Sequence, residues 1–120
     1  SLPALKQSLA EITSDFEHMT FLKGVVNGKI VASVRGYDDG QGAAHILRLI
    51  VHPYFQGRGN GRKLVEAFEK SFPSCRRYEI FTGHRSDRNL HLYGKLGYKR
   101  FKSEPFTTHI EWIYMEKSRP

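Results

Sequence analysis

Six consecutive residues, Gln56-Gly57-Arg58-Gly59-Asn60-Gly61, have the composition of an anion cradle. Three alternating glycines let backbone N–H groups approach a ligand without a Cβ in the way. The run lies between a strand-like stretch, Ile46 to Val51, closed by His52-Pro53, and a helix-like stretch, Arg62 to Lys70. The first N–H groups of a helix are unpaired and carry a partial positive charge. Phosphate binds at such places, and Arg58, Arg62 and Lys63 add formal charge. A plain tight connection needs fewer glycines and no flanking cations, so the turn reads as a pyrophosphate cradle.

Two nucleotide motifs fail here on spacing. A dinucleotide fingerprint needs its third glycine one position beyond Gly61, where Arg62 stands. A P-loop needs four residues between its first glycine and a Gly-Lys-Ser/Thr. In this chain Lys63 is followed by Leu64, so no hydroxyl is placed to hold magnesium.

The elements that would carry the cradle follow from periodicity. Leu2, Leu5, Leu9 and Ile12 predict an amphipathic helix over 2–13. Thr20 to Val26 and Lys29 to Tyr37 read as strands joined by the two-residue turn Asn27-Gly28. Ala44 to Val51 reads as a third strand, whose continuous Leu49-Ile50-Val51 predicts burial on both faces. A helix over 60–71 stops at Phe72-Pro73-Ser74, and a strand follows over 77–82. Asp87 is the expected N-cap of a helix over 88–96 that ends at Gly97. The last two strands are expected over 98–102 and 109–117. The order α-β-β-β-α-β-α-β-β predicts an α/β, mixed-sheet fold with the strands at 44–51 and 77–82 parallel.

The run from Val51-His52-Pro53 to Gly61 resembles the Gln/Arg-x-x-Gly-x-Gly/Ala signature of the GNAT superfamily of N-acetyltransferases. A second stretch, Asn89-Leu90-His91-Leu92-Tyr93-Gly94-Lys95-Leu96-Gly97-Tyr98, resembles that family's Asn-x-x-x-Tyr-x-x-x-Gly-Phe/Tyr segment. The likeness covers roughly residues 20 to 117. It implies the GNAT acyl-CoA N-acyltransferase fold and acetyl-CoA as co-substrate. It implies cofactor contacts from the backbone of Leu49 and Val51, and from Gln56, Gly57, Arg58, Gly59, Asn60, Gly61 and Arg62. Asn89 matches an asparagine that bonds the pantetheine region. Tyr93, one helical turn on, matches the residue that protonates the leaving thiolate. Spacing alone would make Tyr93 an ordinary core aromatic. A phenol near pKa ~10 can donate to a thiolate whose conjugate acid is near ~8.5. Family members begin with a further strand and helix, and this chain has no initiator Met. It is therefore expected to be an N-terminally incomplete or short member. The strand at 20–26 is then an edge, which we expect a second copy or the 1–15 segment to cover.

Composition bounds the remaining choices. A chain of 120 residues with 39% hydrophobic content fits one ordered domain over 1–120. No apolar run reaches membrane-span length and no signal peptide opens the chain. Cys75, the single cysteine, fits a reducing cytoplasm and stands outside both motifs, so direct attack in a ternary complex is favoured over an acyl-enzyme. The net charge of +7 is lopsided. Residues 1–60 hold six Lys/Arg against five Asp/Glu, and residues 61–120 hold thirteen against seven. A phosphate-rich co-substrate can use that charge, and it disfavours a polycationic acceptor. Nucleic acid is a weaker candidate, because no basic block interleaves with stacking aromatics. A non-catalytic CoA-binding module is the main alternative to an enzyme. His45, Glu79, His109 and Glu111 are candidate bases, none singled out. His45, His52, His84, His91 and His109 lack metal-ligand spacing, so no metal is expected. The acceptor amine is not legible.

Overall fold

The computed structural model describes residues 19–119. The helix expected over 2–13 and the proposed 1–15 cover lie outside them. Six strands form one sheet: β1 (Thr20–Val26), β2 (Lys29–Asp38), β3 (Ala43–Val51), β4 (Arg77–Gly83), β5 (Lys99–Pro105) and β6 (Glu111–Ser118). Their spatial order is β1-β2-β3-β4-β6-β5. Helix α1 (Asn60–Lys70) joins β3 to β4, and α2 (Asp87–Lys95) follows β4. The mixed-sheet expectation holds: β3 and β4 are parallel and every other pair is antiparallel.

Asn27 (φ 50°) and Gly28 (φ 78°) make the β1–β2 turn, with both central residues left-handed as a type I′ hairpin requires. Among the described residues β1 pairs only with β2, so it forms one edge of the sheet.

Helix α1 presents Leu64, Val65 and Phe68, all buried, to the sheet. They meet Val34, Ala44, Ile46, Tyr78 and Ile80 in one core cluster. Phe68 is fully enclosed, and truncating such a side chain costs about 3–5 kcal/mol. Glu69, on the same helix, accepts from the Tyr98 hydroxyl at 2.7 Å and from Lys117 Nζ at 3.0 Å, which ties α1 to the far strands.

Three local expectations need correction. Ser86, not Asp87, is the N-cap of α2, and Asp87 begins the helix as its first-turn acid. Strand β5 runs on to Pro105 because β6 pairs it as far as Glu111, although all seven β5 residues are exposed. Leu49, Ile50 and Val51 are half-buried rather than enclosed, because the sheet opens beside them.

Candidate functional site

The parallel ladder between β3 and β4 stops at Ile46 and Ile80. Both strands continue, β3 to Val51 and β4 to Gly83, so a gap widens between them. A bulge in β3 prepares this edge. Arg35 pairs with Arg48 while Gly36 pairs with Ile46, leaving Leu47 as an extra residue. One inserted residue reverses which side chains face inward. Ile46 faces the helices before the bulge, and Leu49 and Val51 face them after it. Both come within 4 Å of the space beside Gly61 of α1. His52 donates its N–H to Val31 O of β2 at 2.8 Å. Strand alternation then turns the backbone groups of Val51 and Leu49 toward the gap.

At the end of β3 the chain enters a 3₁₀ turn, Pro53–Phe55. The Gln56 side chain donates to Val51 O at 3.0 Å, and its N–H bonds Pro53 O at 3.3 Å. Gln56 therefore shapes the turn with both groups. Gly57 (φ 74°) and Gly59 (φ 83°) follow, and Gly59 is the N-cap of α1. Among the described residues no side chain caps that helix, so its first N–H groups stay available. Gly61 has a packing task as well: a Cβ there would lie 3.2 Å from Leu92, 3.6 Å from Leu49 and 3.7 Å from Val51. Its lack of a side chain lets α1 sit close to both walls of the gap.

Helix α2 supplies the facing wall. Arg88, His91, Leu92 and Lys95 recur at three and four residue intervals and line the same cleft. Asn89 Nδ2 donates to Thr82 Oγ1 at 3.2 Å, anchoring α2 to β4 and leaving its carbonyl oxygen for another partner. The cleft holds about 560 Å³. Arg62, Arg88 and Lys95 make its mouth cationic.

Of the residues expected from sequence, Leu49, Val51, Gln56, Gly57, Gly59, Gly61, Arg62 and Asn89 line this cleft together. Three do not. Arg58 lies over the Tyr54 ring at 4.9 Å. Asn60 donates its side-chain amide to Phe55 O at 3.0 Å, bracing the turn. Tyr93 is buried in the core, 6.3 Å from the Tyr98 ring. Its hydroxyl makes no hydrogen bond among the described residues and is not fully enclosed. Burial raises its pKa well above the usual phenol range, so the group stays protonated. Arg88, His91 and Lys95 carry no assigned role in the sequence reading. Their shared helical face was the signal that could have found them.

A family model for an acetyltransferase (GNAT) domain matches residues 4–119. The chain belongs to the GNAT acetyltransferases. A curated acetyltransferase of Pectobacterium atrosepticum is 38% identical over 82 residues, covering 66% of this chain and 57% of that protein. The match thus spans little more than half of that relative's length. Solved GNAT structures share the fold at lower identity. An IAA acetyltransferase from Bacillus cereus superposes with TM-score 0.81 at 20% identity, covering 99% of this chain and 93% of that one. A GNAT acetyltransferase from Elizabethkingia anophelis with acetyl-CoA bound gives 0.80 at 18%, covering 99% and 92%.

Proposed function

We propose that this GNAT domain transfers the acetyl group of acetyl-CoA to a primary amine by direct attack in a ternary complex. The observation that carries the reading is the β3–β4 gap, whose free backbone edge runs into an uncapped helix N-terminus ringed by Arg62, Arg88 and Lys95. A pyrophosphate would lie against the Gly57–Gly61 turn, where dipole and formal charge coincide. The pantetheine arm, which carries amide groups, would bond the exposed edge at Leu49 and at the Val51 N–H, the Val51 carbonyl being held by Gln56, as an added strand does. The Asn89 carbonyl oxygen would accept from the same arm. A backbone N–H on that edge would polarise the thioester carbonyl.

Tyr93 would serve the leaving group. Its raised pKa makes full proton release to a thiolate uphill, so its share is hydrogen-bond donation to sulfur as the C–S bond breaks. Cys75 fits no covalent route: it is buried, its thiol is pushed up by burial and then by Asp38, and it does not line the cleft. Calorimetry with acetyl-CoA and CoA, with thiol-release assays on an amine panel, tests the proposal. Micromolar binding with turnover supports it. Binding without turnover on any amine would favour a CoA-binding module, and absence of binding would overturn the cofactor reading itself.

A further inference from the structure

A second cavity, of about 280 Å³, borders the same β3–β4 gap at its closed end. It is lined by Tyr37, His45, Leu47, Glu79, Phe81 and Tyr114, together with the last paired residues Ile46 and Ile80. Strand alternation puts His45, Glu79, Phe81 and Tyr114 on the sheet face away from α1, whose contacts are Ile46, Tyr78 and Ile80. Leu47 stands two residues from Leu49, roughly 7 Å along the strand. Leu47 therefore marks the end of the cavity nearest the cleft, on the opposite face of the sheet.

Its chemistry is unlike the rest of this basic chain. His45 Nε2 is 2.9 Å from Asp39 Oδ2, and His45 Nδ1 is 3.8 Å from Glu79 Oε1. Arg77 binds Glu79 and, at 2.7 Å, Glu116. The charged and titratable groups on this face about His45 are Asp39 from the loop, Arg35 and Tyr37 from β2, Arg48 from β3, Arg77 and Glu79 from β4, Lys102 and Glu104 from β5, and Tyr114 and Glu116 from β6. Lys102 Nζ lies 4.5 Å over the Tyr114 ring and 3.3 Å from Glu104, so the carboxylates directly beside the imidazole are Asp39 and Glu79. The Tyr37 ring stacks on the imidazole, with centroids 4.9 Å apart and planes 9° from parallel. Phe81 stacks on Tyr114 at 5.3 Å and meets Trp112 edge-on at 5.2 Å.

We infer that this cavity receives the acceptor, and that the acceptor is a small arylalkylamine with one cationic nitrogen and no carboxylate beside it. The inference rests on the acetyl-transfer reading above and adds the substrate class. Aromatic walls suit a flat apolar body, and the Asp39 and Glu79 carboxylates beside His45 suit an ammonium and repel an amino acid's carboxylate. The volume is below the range of about 300–1,000 Å³ for drug-sized ligands, which favours a small amine. An ammonium nitrogen about 2.9 Å from both Nδ1 and Glu79 Oε1 closes a triangle over their 3.8 Å separation. Because Nε2–H donates to Asp39, Nδ1 carries the lone pair that accepts the amine's proton, and the imidazolium formed lies between two carboxylates. The neutral amine nitrogen then bonds the acetyl carbon and the C–S bond breaks. The remaining extra N–H proton passes to sulfur, giving amide and free thiol, while His45 returns its proton to solvent.

The test compares 2-phenylethylamine, phenylalanine, propylamine and spermidine as acceptors with saturating acetyl-CoA. The expected result is a kcat/KM for 2-phenylethylamine at least about tenfold above each of the others, the scale of one charge-assisted contact. Glu79→Gln should raise the amine KM by about tenfold and leave acetyl-CoA affinity unchanged. His45→Gln should lower kcat by about a hundredfold and leave acetyl-CoA affinity unchanged. The wild-type panel needs no variant to fold, so it decides the matter alone. Equal use of phenylalanine or propylamine, or preference for spermidine, overturns this inference while leaving acetyl transfer intact. Failure to bind acetyl-CoA, or binding with no amine acetylated, overturns both.

Discussion

Replacing Gly59 with alanine isolates one backbone property of the cradle. Gly59 sits at φ 83°, ψ 6°, in the left-handed region, as the N-cap of α1. A Cβ built there meets nothing within 4 Å, so no clash contributes. The left-handed conformation costs an alanine about 1–2 kcal/mol. Alanine also restricts the unfolded chain, which offsets about 0.4–1 kcal/mol. The net loss is about 1 kcal/mol, a fall of roughly 0.5 M in urea midpoint for a slope near 2 kcal/mol/M. Gly59→Asn should recover most of it, since asparagine tolerates this conformation and caps helices. Gly61→Ala is the internal control with a different origin. It gains up to about 1 kcal/mol of helix propensity but pushes a methyl to 3.2 Å from Leu92, so its main effect should be weaker CoA binding. Urea titration by circular dichroism and calorimetry with CoA read both effects on the same samples. An alanine variant at 59 as stable as the parent, or an asparagine variant less stable than the alanine one, would refute the left-handed cap.

Other outcomes follow from the same geometry. Arg88→Ala and Lys95→Ala should each weaken CoA binding about tenfold at low salt and much less at high salt, read by calorimetry at two ionic strengths. Tyr93→Phe should leave the melting temperature within about 2 °C, because the hydroxyl has no partner to lose among the described residues, while turnover falls; unchanged turnover would remove Tyr93 from the chemistry. Asp39 is held down at about pKa 2, first by its hydrogen bond to His45 and then by the Gln41 N–H. The folded value lies below the unfolded one of about 3.9, so its contribution is complete above that pH and lost as pH falls toward 2. Wild type should therefore lose more stability than Asp39→Asn between about pH 4 and pH 2, measured by thermal melts across that window.

Much of the frame could be read from residues because local chemistry and tertiary packing agree. Asn27-Gly28 predicts a turn that only left-handed residues make, and both adopt it. Leu64, Val65 and Phe68 mark the buried stripe of α1. The bulge at Leu47 was hidden because Ile46 and Leu47, and then Leu49 to Val51, are apolar on both parities, so alternation carries no phase there. Strand β5 lost its last residues in the reading because Ser103, Glu104 and Pro105 bury nothing. On the cofactor side, glycines at fixed spacing are legible since few other residues fit those angles. The cations of α2 and the Asp39–His45–Glu79 group were not, because their meaning depends on strands and helices distant in sequence coming together.

The bulge has one more consequence. Strand β3 is a single stretch of nine residues, yet it serves two masters. Before Leu47 its odd positions look to the aromatic, acidic cavity and its even ones to the core. After Leu47 the odd positions look to the cleft beneath α1. A saturation mutagenesis scan along β3 should therefore show tolerance alternating with period two, then skipping half a cycle at Leu47. That phase slip would be a signature, visible in fitness data alone, of where one strand passes from positioning an acceptor to positioning a thioester.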